Sequence, residues 1–131
     1  MSAFTGALTV THLDIDWRQW RLENPLRYEI GALGSGMIVD VPAGFVTDGA
    51  SVPRVFWSAL PAWGSYSRAA VIHDYLCVRI NAGQPHPMAP TRAEADAIFR
   101  EAMAVCGTAA IVRLLMWLAV RLNAIFVARL R

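Results

Sequence analysis

The stretch Ser67-Arg68-Ala69-Ala70-Val71-Ile72-His73-Asp74-Tyr75-Leu76-Cys77-Val78 decides how the chain is read. It holds no proline or glycine and is apolar on nearly every side, which predicts a helix. A helix apolar all round is normally buried. Burying His73 and Asp74 is costly unless something compensates them, so the pair needs a partner, a metal or a water-filled pocket. Two readings stand side by side: a functional site, and a hydrogen-bonded pair that pins the helix to a loop.

Downstream, Gly83, Pro85, Pro87 and Pro90 make residues 81–90 a loop. Thr91-Arg92-Ala93-Glu94 fits a capping box and opens a helix that runs to about Cys106, where Gly107 can cap it. A last helix begins near Thr108 and reaches towards the C-terminus. On the Thr91 helix, three- and four-residue spacing sets Asp96 beside Phe99 and Met103, at the edge of the apolar stripe. Glu94 and Glu101 fall on the far side. Asp96 therefore meets His73 if the two helices pack antiparallel, or else lies at the surface paired with Arg92 or Arg100. A carboxylate on one imidazole nitrogen would make the other a better base.

Upstream of residue 67 the pattern changes. Ser51-Val52-Pro53 suits the start of a short helix that Pro61 and Gly64 end. Before it, Leu8–Leu13, Trp17–Arg21, Leu26–Ile30 and Met37–Val41 read as strands, separated by turns at Asn24-Pro25 and at the glycine-rich residues 31–36. The expectation is a single α+β domain over residues 1–131. Residues 1–50 would form a small antiparallel meander, packed against three to four helices from residues 51–131.

Composition narrows the function classes. Hydrophobic residues are 56% and charged residues 17% of 131, more apolar than such a core requires, so a partner, self-association or a membrane surface is expected. A net charge of +2 gives no case for nucleic acid. Cys77 and Cys106 lack metal-type spacing and read as reduced thiols. The Met1–Phe4 start resembles no signal peptide. After Cys106 there is no acidic residue, while Arg113, Arg121, Arg129 and Arg131 all fall there. The longest arginine-free runs in the last helix, Leu114–Val120 and Leu122–Ala128, are too short to span a bilayer. That helix is expected on its own domain or a neighbouring subunit with its arginine stems snorkelling, or against an anionic membrane surface.

One loop adds to the His-Asp pair. In Phe45-Val46-Thr47-Asp48-Gly49-Ala50-Ser51, the oxygens of Thr47, Asp48 and Ser51, with Asp74, offer the donors that a hard cation such as calcium takes. Asp-Gly is also an ordinary turn dipeptide.

Several blocks resemble a known family. Val41-Pro42-Ala43-Gly44-Phe45-Val46-Thr47-Asp48-Gly49-Ala50-Ser51-Val52-Pro53-Arg54 looks like the signature of small phage and prophage proteins known as domain of unknown function 1353, and Ala69–Leu76, Ala95–Phe99 and Ala119–Arg121 look like its later blocks. The likeness covers roughly residues 25 to 122 and implies a phage or prophage origin without an established activity. The order Thr47–Ser51, His73-Asp74 and Asp96 is also similar to secreted phospholipase A2, especially its bacterial forms. That resemblance implies His73 as base, Asp74 as calcium ligand and Asp96 as the acid orienting His73, with the Asp48 loop supplying further oxygens. Phospholipase A2 carries a tyrosine four residues after the histidine, where this chain has Cys77. The phenol is instead at Tyr75, a binding candidate on another side of the helix.

Two functions are therefore expected. One is a virion or assembly component, such as a minor tail or baseplate protein, partnered by other phage structural proteins or by itself, in the virion or the infected-cell cytoplasm. The other is a calcium-assisted hydrolase acting on lipid or another cell-envelope ester.

Overall fold

A computed structural model describes residues 3–5, 8–12, 20–31, 34–47 and 67–129. The short strands of the first half are β1 (Ala3–Thr5), β2 (Val10–His12), β3 (Trp20–Leu22), β4 (Leu26–Glu29), β5 (Ile38–Val41) and β6 (Val46–Thr47). Every pairing is antiparallel, and the strands form two three-stranded sheets ordered β1-β4-β5 and β2-β3-β6. The sequence reading expects strands at β2 to β5, but not at β1 and β6, which are two or three residues long and take their place by pairing. Leu22 extends the β3–β6 pairing into the turn before β6. Its N–H donates to the Phe45 carbonyl at 2.9 Å, and its carbonyl accepts from the Gly44 N–H at 2.8 Å.

Alternation in β4 and β5 sends Leu26, Tyr28, Val39 and Val41 into the core and leaves Arg27 and Asp40 outside. The outer pair is directly opposed and bonded, with Arg27 Nε 2.7 Å from Asp40 Oδ1. Such an exposed pair contributes little.

Among the described residues three helices complete the α+β fold: α1 (Ser67–Asn81), α2 (Arg92–Val105) and α3 (Ala110–Arg129). Thr91 caps α2 as its sequence predicts, its Oγ1 accepting from the Glu94 N–H at 3.4 Å. Gly107 ends α2 with φ +79°, a conformation in which a side chain would be strained. The Thr108 N–H then reaches back to the Met103 carbonyl at 3.0 Å. The helix expected from Ser51 and the segment ending at Pro61 and Gly64 lie outside the described residues.

The helices pack as an antiparallel series. His73 of α1 meets Asp96 of α2, while Cys106, just past the other end of α2, lies beside Arg68 and Ala69. Likewise Arg121 of α3 meets Asp96 and Trp117 meets Arg100. Apolar side chains from both sheets and all three helices fill one core, among them Leu22, Tyr28, Val39, Ile72, Leu76, Phe99, Met103 and Met116.

Glu101 departs from the sequence reading. It sits between α2 and the sheet instead of in solvent, accepting from the Tyr28 hydroxyl at 2.7 Å and the Gly31 N–H at 3.0 Å. The reason is that α2 buries more than one face: α1 and α3 flank it, and β4 reaches the side that single-stripe periodicity assigns to water.

Candidate functional site

The antiparallel packing of α1 on α2 brings His73 and Asp96 together. His73 Nε2 lies 2.6 Å from Asp96 Oδ1. The second carboxylate oxygen, Oδ2, accepts from Arg121 Nη1 at 2.8 Å. Neither Arg92 nor Arg100 is the cation partner; Arg100 instead lies over the Trp117 ring, 5.0 Å from its centroid. Asp96 is thus bonded on both oxygens by groups from the helices on either side of its own.

The cluster is deeply set. The Asp96 side chain has no exposed surface, His73 is 13% exposed and Arg121 24% exposed. The His73 ring also lies against Phe99, with centroids 4.7 Å apart. A carboxylate so enclosed requires paired, hydrogen-bonded counter-charges. Burial works to push the His73 pKa down, but hydrogen bonding to Asp96, with Cys77 adding to it, more than reverses this and His73 is pushed up to about 9. Nε2–H then donates to Asp96, and at neutral pH the ring is an imidazolium.

Cys77 occupies the position four residues after His73, one helical turn on. Its sulfur is 3.6 Å from Nε2 and 3.9 Å from Nδ1. The sulfur singles out neither nitrogen, and its contact with the ring helps to hold His73 protonated. Both cysteines are free thiols, as their spacing predicts.

The remaining described candidates lie on α1 and on β6, which packs against it. Tyr75 turns to the β side of α1, edge-on to Phe45 with centroids 5.4 Å apart, and Arg79 Nη1 reaches its hydroxyl at 3.5 Å. Thr47 is buried at the end of β6. Asp74 is half-buried beside His73. Asp48 and Ser51 lie outside the described residues. Among the described residues no three histidine, cysteine or acidic side chains gather to hold a metal ion.

Arg121 is the functional-looking residue that sequence reading assigned elsewhere, to a snorkelling role. The signal was present: it is one charge set between two arginine-free apolar runs, Leu114–Val120 and Leu122–Ala128. A charge in the middle of an apolar helix, in a chain with a buried carboxylate, marks an internal ion pair.

The comparisons with known proteins match this geometry to no activity. The family described as "Protein of unknown function (DUF1353)" matches residues 20–120. A similar relative is "Uncharacterized protein y4jT" of Sinorhizobium fredii (strain NBRC 101917 / NGR234), 49% identical over 45 residues. That stretch is 33% of this chain and 13% of the relative, so the chain spans only a small part of that protein's length. No solved structure matches the chain significantly. A family match over residues 20–120, which takes in β3 to β6, α1, α2 and the first half of α3, settles membership: the chain belongs to the DUF1353 family of proteins of unknown function.

Proposed function

We propose that the protein is a phage or prophage virion or assembly component, of the minor tail or baseplate kind, in which His73, Asp96 and Arg121 serve as a structural lock. The observation that carries this reading is the complete engagement of Asp96. Both of its oxygens are bonded, one to His73 and one to Arg121, and its side chain has no exposed surface. Those two bonds tie α1, α2 and α3 to one another through a single carboxylate. His73 pushed up to about 9 is an imidazolium at neutral pH and accepts no proton there. The phage origin rests on the likeness of the Val41–Arg54 and Ala69–Leu76 blocks. The exposed apolar residues of α3 support a role in assembly.

The test is mass spectrometry of purified particles of the phage or induced prophage that encodes the chain. The reading expects the protein in mature particles at a fixed copy number or in their assembly intermediates. Absence from both would contradict it.

The His73–Asp96 bond favours one second reading, a phospholipase A2-like hydrolase acting on lipid or another cell-envelope ester. In it Asp48 and its loop would join Asp74 around calcium. Calorimetry with calcium on the wild type beside Asp74→Asn separates the two readings. Saturable binding lost in the variant supports the hydrolase; no binding removes it.

A further inference from the structure

Helix α3 is apolar on two opposite faces. One packs into the domain through Val112, Met116, Val120 and Ala124. The other carries Ile111, Leu114, Leu115, Leu118, Leu122 and Ile125, all exposed, with Ile111 at 62% and Leu122 at 66%. At the helical repeat these six fall within an arc of about 100°, as wide as the stripe that a surface helix normally turns to a core. Five of them, at 111, 115, 118, 122 and 125, follow alternating steps of four and three, the spacing of a two-helix seam.

Charge indicates what kind of surface fits. Between Ile111 and Ile125 the exposed arc contains only isoleucine and leucine, and Arg129 follows one turn beyond its end. The two arginines of α3 whose side chains are described are both committed within the domain: Arg121 to Asp96, and Arg113, whose Nη1 donates to the Thr108 carbonyl at 2.7 Å. Neither is available to an anionic lipid headgroup or an acidic partner, so the surface that matches the Ile111–Ile125 stretch is apolar and uncharged. The seam also reads Ile-Leu-Leu-Leu-Ile in both directions. A twofold axis near Leu118 therefore sets like residue types against one another, and an antiparallel crossing opposes the two helix dipoles favourably. Six partly exposed leucines and isoleucines from each copy bring such a contact to the low end of specific interfaces, which begin at about 1,000 Å².

We infer that the outer face of α3 is a homodimer interface, in which a second copy of this chain packs its own α3 antiparallel across the Ile111–Ile125 seam. The inference deepens the assembly reading and rests on it, supplying the partner of one face. The two fail separately, since a virion protein can be monomeric and a dimer can be absent from virions.

Sedimentation velocity on the full chain tests it. The wild type is expected at twice the 14.4 kDa chain mass. The double variant Leu118→Asp with Leu122→Asp is expected at the single-chain mass, a twofold drop, with an unchanged circular dichroism spectrum because neither side chain is buried in the fold. Leu118→Cys, close to the axis, is expected to form an intermolecular disulfide under mild oxidation that the wild type does not form. A monomeric wild type, a mass other than two chains, or a dimer that survives the double variant would overturn the inference. Flotation of a monomeric wild type with vesicles of phosphatidylcholine and phosphatidylglycerol would give the face to lipid instead. Should the double variant unfold, failure of Leu118→Cys to cross-link overturns the inference on its own.

Discussion

Asp96 has no exposed surface and two cationic partners, so its charge is never left to solvent. Removing it strands His73 and Arg121 in a low-dielectric interior. Asp96→Ala is therefore expected to cost about 3–5 kcal/mol, as when one member of a buried ion pair is deleted. Chemical denaturation measures this directly. His73 adds a pH dependence with a definite sign. Its folded pKa of about 9 lies above the unfolded value of 6.5, so its contribution is complete below pH 6.5 and is lost as pH rises through about 9. The loss is on the order of 3 kcal/mol, and His73→Gln should flatten that limb of the stability profile. The sequence revealed much of this cluster. The apolar run around His73 flags a compensated charge, and helical spacing turns Asp96 towards it. The runs on either side of Arg121 mark it as an enclosed charge, but nothing local ties a position in α3 to one in α2, so only the packed fold names Asp96 as its partner.

At the scale of elements, local chemistry sets the boundaries that the sequence can show. Thr91 and Gly107 bracket α2 because a side-chain oxygen satisfies an N–H at one end and a positive φ closes the other. Thr91→Ala should cost about 1 kcal/mol, read as a fall in melting temperature. The strands were legible where hydrophobic alternation is long enough to register, as in β4 and β5. β1 and β6 were not, being stabilised by partners distant in sequence: Phe4 stands opposite Tyr28, and Val46 opposite Arg21. Glu101 misleads for the same reason. Periodicity locates one buried stripe on a helix, whereas α2 is enclosed by two helices and a sheet. Tyr28→Phe removes a hydroxyl donor to a part-buried carboxylate and should cost about 1–3 kcal/mol in denaturation.

For the whole molecule, one polar cluster spans all three helices, and one face of the last helix is still apolar and exposed. The apolar surplus in the composition is thus spent twice, on the core and on the outer arc of α3. Self-association through the Ile111–Ile125 stretch sets no charge against another, so the dimer population should change little between low and high salt, unlike binding to an anionic surface. The account's central claim is that His73, Asp96 and Arg121 lock the fold with the imidazole held protonated, rather than presenting a base to a substrate. An NMR titration of the His73 ring nitrogens tests this most directly. The account predicts both nitrogens protonated at pH 7 and a midpoint near 9. A midpoint at or below the ordinary histidine value of 6.5, with one nitrogen bare at pH 7, would contradict it and restore His73 as a candidate base.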